Sequence, residues 1–196
     1  MKMKRILCTV LTALTLLGAS AQAPEKGDVI ADLGIGVGAM DGASSEASFT
    51  QRIAIEWGML EFETLNSDWT LTLGFQLNNG AWTKSGSEPV TFEKWRSTQD
   101  DLTFMPTASL HHGFSNRIDG YATLGMGFGL LNSRSSTNIG VWGNTDASFA
   151  MALNLGMRYW INANWGINAQ FGMVSAAWKD GYGSYNILSV GASYKF

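Results

Sequence analysis

The chain is poor in cysteine, proline and charged residues. It has 1 cysteine, 3 prolines and 15% charged residues among 196 positions. The cysteine, Cys8, lies in a segment that we expect to be removed, so the mature protein is predicted to lack disulfides and thiol chemistry. Beyond that segment, no apolar run approaches the roughly 20 residues that a membrane-spanning helix needs. These absences exclude a disulfide-stabilised domain and a helical membrane protein.

The N-terminus has the features of an export signal. Positively charged residues at 2–5 precede an apolar stretch at 6–17 and small residues at 19–21. This arrangement is typical of a secretory signal peptide with its cleavage site. We therefore predict a signal peptide over residues 1–21 and a single mature domain over residues 22–196.

The charge balance disfavours nucleic acid as a partner. The whole chain has a formal net charge of -3, and the predicted signal peptide contains only positive charges. The mature domain is therefore more acidic than the whole chain. Since nucleic acid attracts basic surfaces, we expect no nucleic-acid binding.

Hydrophobicity in the mature domain alternates with a period of two, which is typical of β-strands. At 69–78, for example, Trp69, Leu71 and Leu73 share one face, while Thr70 and Thr72 share the other. The pattern predicts strands at about 28–38, 49–59, 69–78, 102–110, 121–130, 149–159, 165–174 and 188–196. Pro106 removes a backbone donor from the fourth of these, so we expect a bulge or kink there. The predicted fold is an all-β, eight-stranded antiparallel up-and-down barrel that crosses a membrane.

The composition of the two strand faces indicates which face lines the barrel interior. A soluble barrel, such as a lipocalin, would carry many Lys and Glu residues on its polar face. Here the polar face consists mainly of Gly, Ser, Thr, Ala and Asn, which suits the narrow lumen of eight strands. The few charges on it are predicted to form a neutral lumen salt network, because an unpaired buried charge is costly. They are Asp28, Asp32, Arg52, Glu56, Arg158 and Lys195.

Aromatic residues and loop lengths predict the orientation. Six aromatics fall at one rim and are expected to form an interfacial girdle on the periplasmic side: Trp57, Trp69, Tyr159, Trp165, Tyr194 and Phe196. The longer connections, at about 79–101, 132–147 and 175–186, are then extracellular. Aromatic residues in them are candidates for contact with a ligand or for loop packing: Trp82, Trp95, Trp142, Trp178, Tyr182 and Tyr185.

No pattern indicates a cofactor, a metal site or a nucleotide site. Glycines spaced by two occur at 34–38 and 125–129, but no helix pattern follows them, as a phosphate-binding loop would require. His111 and His112 are adjacent and lie on opposite strand faces, which is poor geometry for one metal. Ser109 and His111 share a face, but we expect no acidic residue nearby to orient the histidine as a base.

The C-terminus ends in an alternating strand with terminal aromatics. Ser189, Gly191, Tyr194 and Phe196 match the assembly signal of bacterial outer-membrane proteins, in which a polar residue and a glycine precede two aromatics. The mature chain resembles the small eight-stranded outer-membrane β-barrel family that includes OmpX and the membrane domain of OmpA. The resemblance implies location in the bacterial outer membrane, among lipid and lipopolysaccharide, and recognition by the barrel-assembly machinery during biogenesis.

Three classes of function are compatible with the sequence. The first is a non-enzymatic barrel that supports the envelope or binds an extracellular ligand through its loops. The second is a narrow passive channel for small solutes or ions, and the third is a barrel enzyme that modifies lipid A. We favour the first, because no catalytic constellation is visible.

Overall fold

The computed structural model describes residues 24–40, 48–64, 67–87, 94–178 and 181–196. Within them, eight antiparallel strands pair in sequence order, and β1 pairs with β8 to close a barrel. The strands are β1 (Val29–Met40), β2 (Ser48–Thr64), β3 (Ser67–Ser87), β4 (Lys94–Ser115), β5 (Ile118–Thr137), β6 (Gly140–Trp160), β7 (Trp165–Trp178) and β8 (Gly181–Lys195). The predicted up-and-down barrel is confirmed.

The residues of the predicted signal peptide lie outside the described ranges. Within those ranges, no helix combines the length and the hydropathy that crossing a membrane would take.

The two faces of the barrel have the predicted assignment. Outward side chains are apolar and exposed, such as Leu33 at 61% and Phe128 at 72%, whereas the inward Asp32 and Arg158 are at most 1% exposed. This is the reverse of a soluble barrel, and it fits an exterior that meets hydrocarbon and a lumen that holds polar groups.

Strands β3 to β6 are longer than the sequence pattern predicts. They contain 21, 22, 20 and 21 residues, whereas β1 and β7 contain 12 and 14. The prediction of loops at 79–101 and 132–147 is therefore wrong over most of their length. The reason is that the outward face turns polar while the backbone pairing continues. The first polar outward residues are Asn79, Asp100, Asn132 and Thr145, and they mark the upper edge of the apolar belt.

Register shifts in the ladder occur away from Pro106, where we expected a bulge or kink. Pro106 causes no register shift, so the bulge is absent, but the β4–β5 ladder lacks pairs at Met105 and Pro106, while the β3–β4 ladder continues through Pro106. Register shifts occur instead between Gly58 and Leu60 and between Gly113 and Ser115. The extra residue in β2 keeps Leu60 on the outward face, where it is 54% exposed, so the bulge preserves the apolar exterior near the periplasmic rim.

Candidate functional site

The lumen contains a buried cluster of charged side chains centred on Arg158. Its Nη2 lies 2.9 Å from Asp32 Oδ2 and its Nη1 lies 2.9 Å from Asp119 Oδ2. Its Nε donates to Ser193 Oγ at 2.9 Å. The guanidinium therefore joins β6 to β1, β5 and β8, and it is fully buried.

Arg52 forms the second cationic part of the cluster. Its Nη2 lies 3.7 Å from Asp32 Oδ2 and donates to Asn168 Oδ1 at 3.3 Å. Asn168 Nδ2 in turn donates to Asp32 Oδ1 at 3.3 Å and to Ser193 Oγ at 2.8 Å. Both oxygens of the Asp32 carboxylate are thus held by donors from other strands.

His111 lies between two carboxylates of the cluster. Its Nδ1 is 3.1 Å from Asp119 Oδ2, and its Nε2 is 3.0 Å from Glu56 Oε2. Nε2 is also 3.2 Å from Thr72 Oγ1. Ionised carboxylates only accept hydrogen bonds, so this arrangement suits a doubly protonated ring that donates on both sides. The imidazolium, together with Arg52 and Arg158, then balances the negative charges of Asp32, Glu56 and Asp119.

Four side chains of the predicted salt network meet in this cluster, and two do not. Asp32, Arg52, Glu56 and Arg158 lie together, as described above. Asp28 and Lys195 form a separate pair at the periplasmic rim, with 3.2 Å between Oδ2 and Nζ. Sequence reasoning missed Asp119 and the role of His111, because the predicted strands end at 110 and begin again at 121. The turn is shorter, since β5 begins at Ile118 and Asp119 faces the lumen opposite Arg158.

The expectation that His111 lacks an acidic neighbour is wrong. Even so, Ser109 and His111 do not form a pair of nucleophile and general base. Ser109 Oγ is hydrogen-bonded to Thr123 Oγ1 at 2.7 Å. Both His111 ring nitrogens face the carboxylates described above and not Ser109. Ser109 and His111 are also almost completely buried. Among the described residues, no group of three or more His, Cys, Asp and Glu side chains is arranged to hold a metal ion.

The periplasmic end of the lumen is covered by residues 24–28, which we name the N-terminal strap. Thr70 Oγ1 donates to the buried carbonyl oxygen of Pro24 at 2.6 Å. Gly27 N donates to Gly58 O, and Gly58 N donates to Asp28 O, both at 2.8 Å. A Cβ on Gly58 would lie 2.1 Å from the carbonyl oxygen of Glu25, so the strap can approach β2 only because this residue is glycine.

Above the charged cluster, the lumen is filled by amide and then by apolar side chains. Asn154 donates to Gln76 Oε1 at 3.0 Å, and Gln76 donates to Asn78 Oδ1 at 2.7 Å. Trp82 and Met105 belong to a buried apolar group beyond them. The prediction that Trp82 lies in an extracellular loop, for ligand contact or loop packing, is wrong. Its side chain points inward over Gly80 and is 1% exposed, because β3 extends past the predicted strand end.

The four long strands extend beyond the apolar belt as a sheet. We define this extracellular sheet as residues 79–87, 94–101, 131–137 and 140–147 of β3, β4, β5 and β6. The hairpin between β5 and β6 ends in exposed apolar side chains: Ile139 at 77%, Val141 at 67% and Trp142 at 55%. Of the predicted contact aromatics, Trp142 is therefore exposed. The side chains of Trp95, Trp178, Tyr182 and Tyr185 lie outside the described part of the structure.

The family model for the outer membrane protein beta-barrel domain matches residues 9–196. The chain belongs to this family. As a member of the outer membrane protein beta-barrel family, it is a protein of the bacterial outer membrane. A comparison with curated protein sequences gives no significant match.

Solved structures of other outer-membrane barrels are similar to this family member in fold. The attachment invasion locus protein Ail of Yersinia pestis is 14% identical, with 87% of this chain and 99% of that chain covered and a TM-score of 0.53. Ail in complex with the heparin analogue sucrose octasulfate is 15% identical with a TM-score of 0.54, over 87% of this chain and 99% of that chain. Neisserial surface protein A is 16% identical with a TM-score of 0.49, over 86% and 96% of the two chains.

Membership of the outer membrane protein beta-barrel family agrees with the construction of the last strand. Tyr194 contacts the rings of Trp165 and Phe196, each with 4.8 Å between centroids. Ser189 and Gly191 pair with Gly36 and Gly34 of β1. Ser189, Gly191 and Tyr194 of the predicted assembly signal thus lie in the strand that closes the barrel, and Phe196 directly follows it.

Proposed function

We propose that this barrel is a non-enzymatic outer-membrane protein that presents its extracellular sheet to a binding partner. The observation that carries the proposal is the length of β3 to β6. A strand tilted by about 45° crosses the hydrocarbon core with about 9–11 residues, whereas β4 has 22. About half of this strand is therefore not needed to cross the membrane.

The exposed end of the β5–β6 hairpin supports a binding role. Ile139, Val141 and Trp142 are all more than half exposed, and tryptophan is enriched where binding energy is concentrated. In addition, β6 pairs with β7 only from Ala150 onward within the described residues. The backbone of 140–149 thus has one open edge, which an extended segment of a partner can extend as a sheet.

The lumen favours this proposal over the channel and the enzyme. Arg158, His111, Met105 and Trp82 are all fully buried inside the barrel, and side chains of this size fill an eight-stranded barrel. We therefore expect no steady conductance from folded protein in a planar bilayer. The enclosed positions of Ser109 and His111 likewise disfavour action on lipid, and lipid A of identical mass from producing and non-producing cells is expected.

Substitution of the hairpin end tests the binding role. Cells of a strain that lacks the protein would be given the wild type or a V141S/W142A variant, and their adhesion to cultured epithelial cells and to immobilised matrix proteins would be measured. We expect adhesion from the wild type and its loss in the variant. A matched F114S variant removes an exposed apolar side chain from the periplasmic end and is expected to adhere normally. Equal adhesion of V141S/W142A and wild type would contradict the proposal.

A further inference from the structure

The lipid-facing side of the barrel has a groove along β5, in the periplasmic half of the apolar belt. Gly120 and Ala122 form its floor. These two small residues pair on both sides with residues that carry larger outward side chains, those of β4 and those of β6. The groove has a volume of about 560 Å³, and the large side chains on its two sides are Leu110, His112, Leu155 and Met157.

Contacts between aromatic rings hold the β4 side of this groove in place. The ring of His112 stacks on Trp69 with 4.6 Å between centroids, and it meets Phe114 edge-on at 4.9 Å. The ring of Phe114 lies over Gly120, where a Cβ would collide with it. Ring pairs of this kind favour one geometry, so little further ordering is needed when a ligand binds.

A second groove lies beside the first, along β7. Its floor is Ala169, which pairs with Met157 of β6 and with Val190 of β8. Met157 and Ala169 line both grooves, so the outward row of β6 is the ridge between them. The strands β5 and β7 are two strand spacings apart, about 9–10 Å, and two acyl chains can therefore lie on either side of Met157. The second groove has a volume of about 600 Å³, and its lining also includes Ile35, Ile118, Tyr159 and Ile167.

The lower ends of the grooves lie at the periplasmic border of the belt. Ile118 and Leu130 are the lowest and highest apolar outward residues of β5, twelve residues apart. At a rise of 3.3 Å per residue and a tilt near 45°, this distance is about 28 Å of height. The apolar band of outer-membrane barrels is about 25 Å tall. Ile118 therefore marks the lower edge of the hydrocarbon, and the β4–β5 turn that precedes it lies at the depth of the periplasmic headgroups.

Arg117 places a positive charge in this turn. The turn joins Ser115, the last residue of β4, to Ile118. It is fixed beside β6, since Trp160 N donates to Arg117 O at 2.8 Å. Tyr159, which lines the second groove, pairs with Ile118 directly above the turn. A guanidinium and a phenol at this depth suit a lipid phosphate, and no acidic side chain is among the described residues that line either groove.

We propose that the two grooves and the β4–β5 turn form a site for one anionic phospholipid of the periplasmic leaflet. Its acyl chains lie on either side of Met157, and its phosphate contacts Arg117 and Tyr159. A second copy of the chain is the other occupant that an apolar face could take. A two-fold axis along the membrane normal would bring Arg117 of both copies close together, which is unfavourable, whereas a phosphate neutralises this charge.

Lipid retention tests the proposal. The barrel would be placed in nanodiscs of equal parts phosphatidylethanolamine and phosphatidylglycerol, and the lipids that remain bound after release would be counted by native mass spectrometry. We expect the wild type to retain one phosphatidylglycerol. R117Q is expected to bind it about tenfold more weakly, because a charge-assisted hydrogen bond is lost. A169L is expected to lose both kinds of phospholipid, because the larger side chain fills the floor that the two grooves share.

Matched variants separate this site from general effects. A108L introduces the same larger side chain at an outward position of β4 that lines neither groove, and K26Q removes an exposed positive charge from the N-terminal strap. Both are expected to retain phosphatidylglycerol like the wild type, and a shift in gel mobility on boiling verifies the fold of each variant.

Three outcomes would overturn the proposal. The first is equal retention of phosphatidylglycerol by the wild type, R117Q and A169L, and the second is equal retention of the two phospholipids by the wild type. The third is a dimer mass for the wild type that A169L abolishes, which would assign this face to a second copy. The site lies across the membrane from the hairpin end to which we assign partner binding, so either assignment can fail without the other.

Discussion

Replacement of His111 by glutamine removes one positive charge from a buried cluster in which three cations balance three carboxylates. The ring lies 3.0 Å from Glu56 and 3.1 Å from Asp119, and all three side chains are less than 5% exposed. Removal of one partner from a buried charge pair costs about 3–5 kcal/mol, because the remaining charge stays buried without compensation. We therefore expect H111Q to lower the free energy of unfolding by about this amount.

A double variant tests whether charge balance causes this loss. E56Q removes a negative charge and is expected to be destabilising on its own, whereas H111Q/E56Q restores neutrality. We expect the loss of unfolding free energy in the double variant to be smaller than the sum of the two single losses by about 1–3 kcal/mol. The free energies would be measured by urea titration in phospholipid vesicles, followed by tryptophan fluorescence and by gel mobility without boiling.

His112 supplies the matched control, because it is adjacent in sequence but faces outward. Its ring stacks on Trp69 with 4.6 Å between centroids, and such contacts are worth about 0.5–1.5 kcal/mol. H112Q is therefore expected to cost much less than H111Q. Additive single effects in the double variant, or equal costs for H111Q and H112Q, would refute the charge-balance argument.

Three further perturbations have separate expected outcomes. G58V is expected to displace the N-terminal strap and to lower the free energy of unfolding by about 1–3 kcal/mol. A cysteine placed at Thr70 would then react faster with a membrane-impermeant maleimide. The control G143V adds a side chain where space is open, and it would leave that rate unchanged. D28N breaks a partly exposed rim pair and is expected to cost only about 0–1 kcal/mol in the same urea titration. F196A is expected to reduce the fraction of the protein that reaches the outer membrane in heat-modifiable form, and an unchanged fraction would contradict the role of the terminal aromatic residue.

The part of the fold inside the membrane could be predicted because its two faces meet different environments, the hydrocarbon outside and the lumen inside, with opposite requirements. Hydrocarbon selects apolar side chains at alternate positions, and the narrow lumen selects small or polar ones between them. All eight strands and the inward direction of Asp32 and Arg158 follow from this alternation. Outside the membrane both faces of a sheet can be polar, so the pattern ends although hydrogen bonding does not. The extensions of β3 to β6 could not be predicted for this reason.

Individual partners in the lumen could be predicted less well than its composition. A count of charges on the polar face gives a neutral network, but it does not show at which height each side chain lies. Asp28 and Lys195 lie at the rim and pair there. Asp119 supplies the third carboxylate of the charged cluster around Arg158. The heights of these side chains along the barrel axis depend on the strand register. This register includes a bulge in β2 that the sequence pattern does not predict.

The charged cluster also couples the parts of the chain that must meet for the barrel to close. Arg158 of β6 contacts Asp32 of β1 over a separation of 126 residues, and it contacts Ser193 of β8 over 35. In an incomplete barrel that lacks β8 or β1, these groups would be desolvated without their partners, which is unfavourable. The inner cluster therefore favours the fully closed eight-stranded state over open or partly inserted forms. Buried charge here thereby favours one closed register.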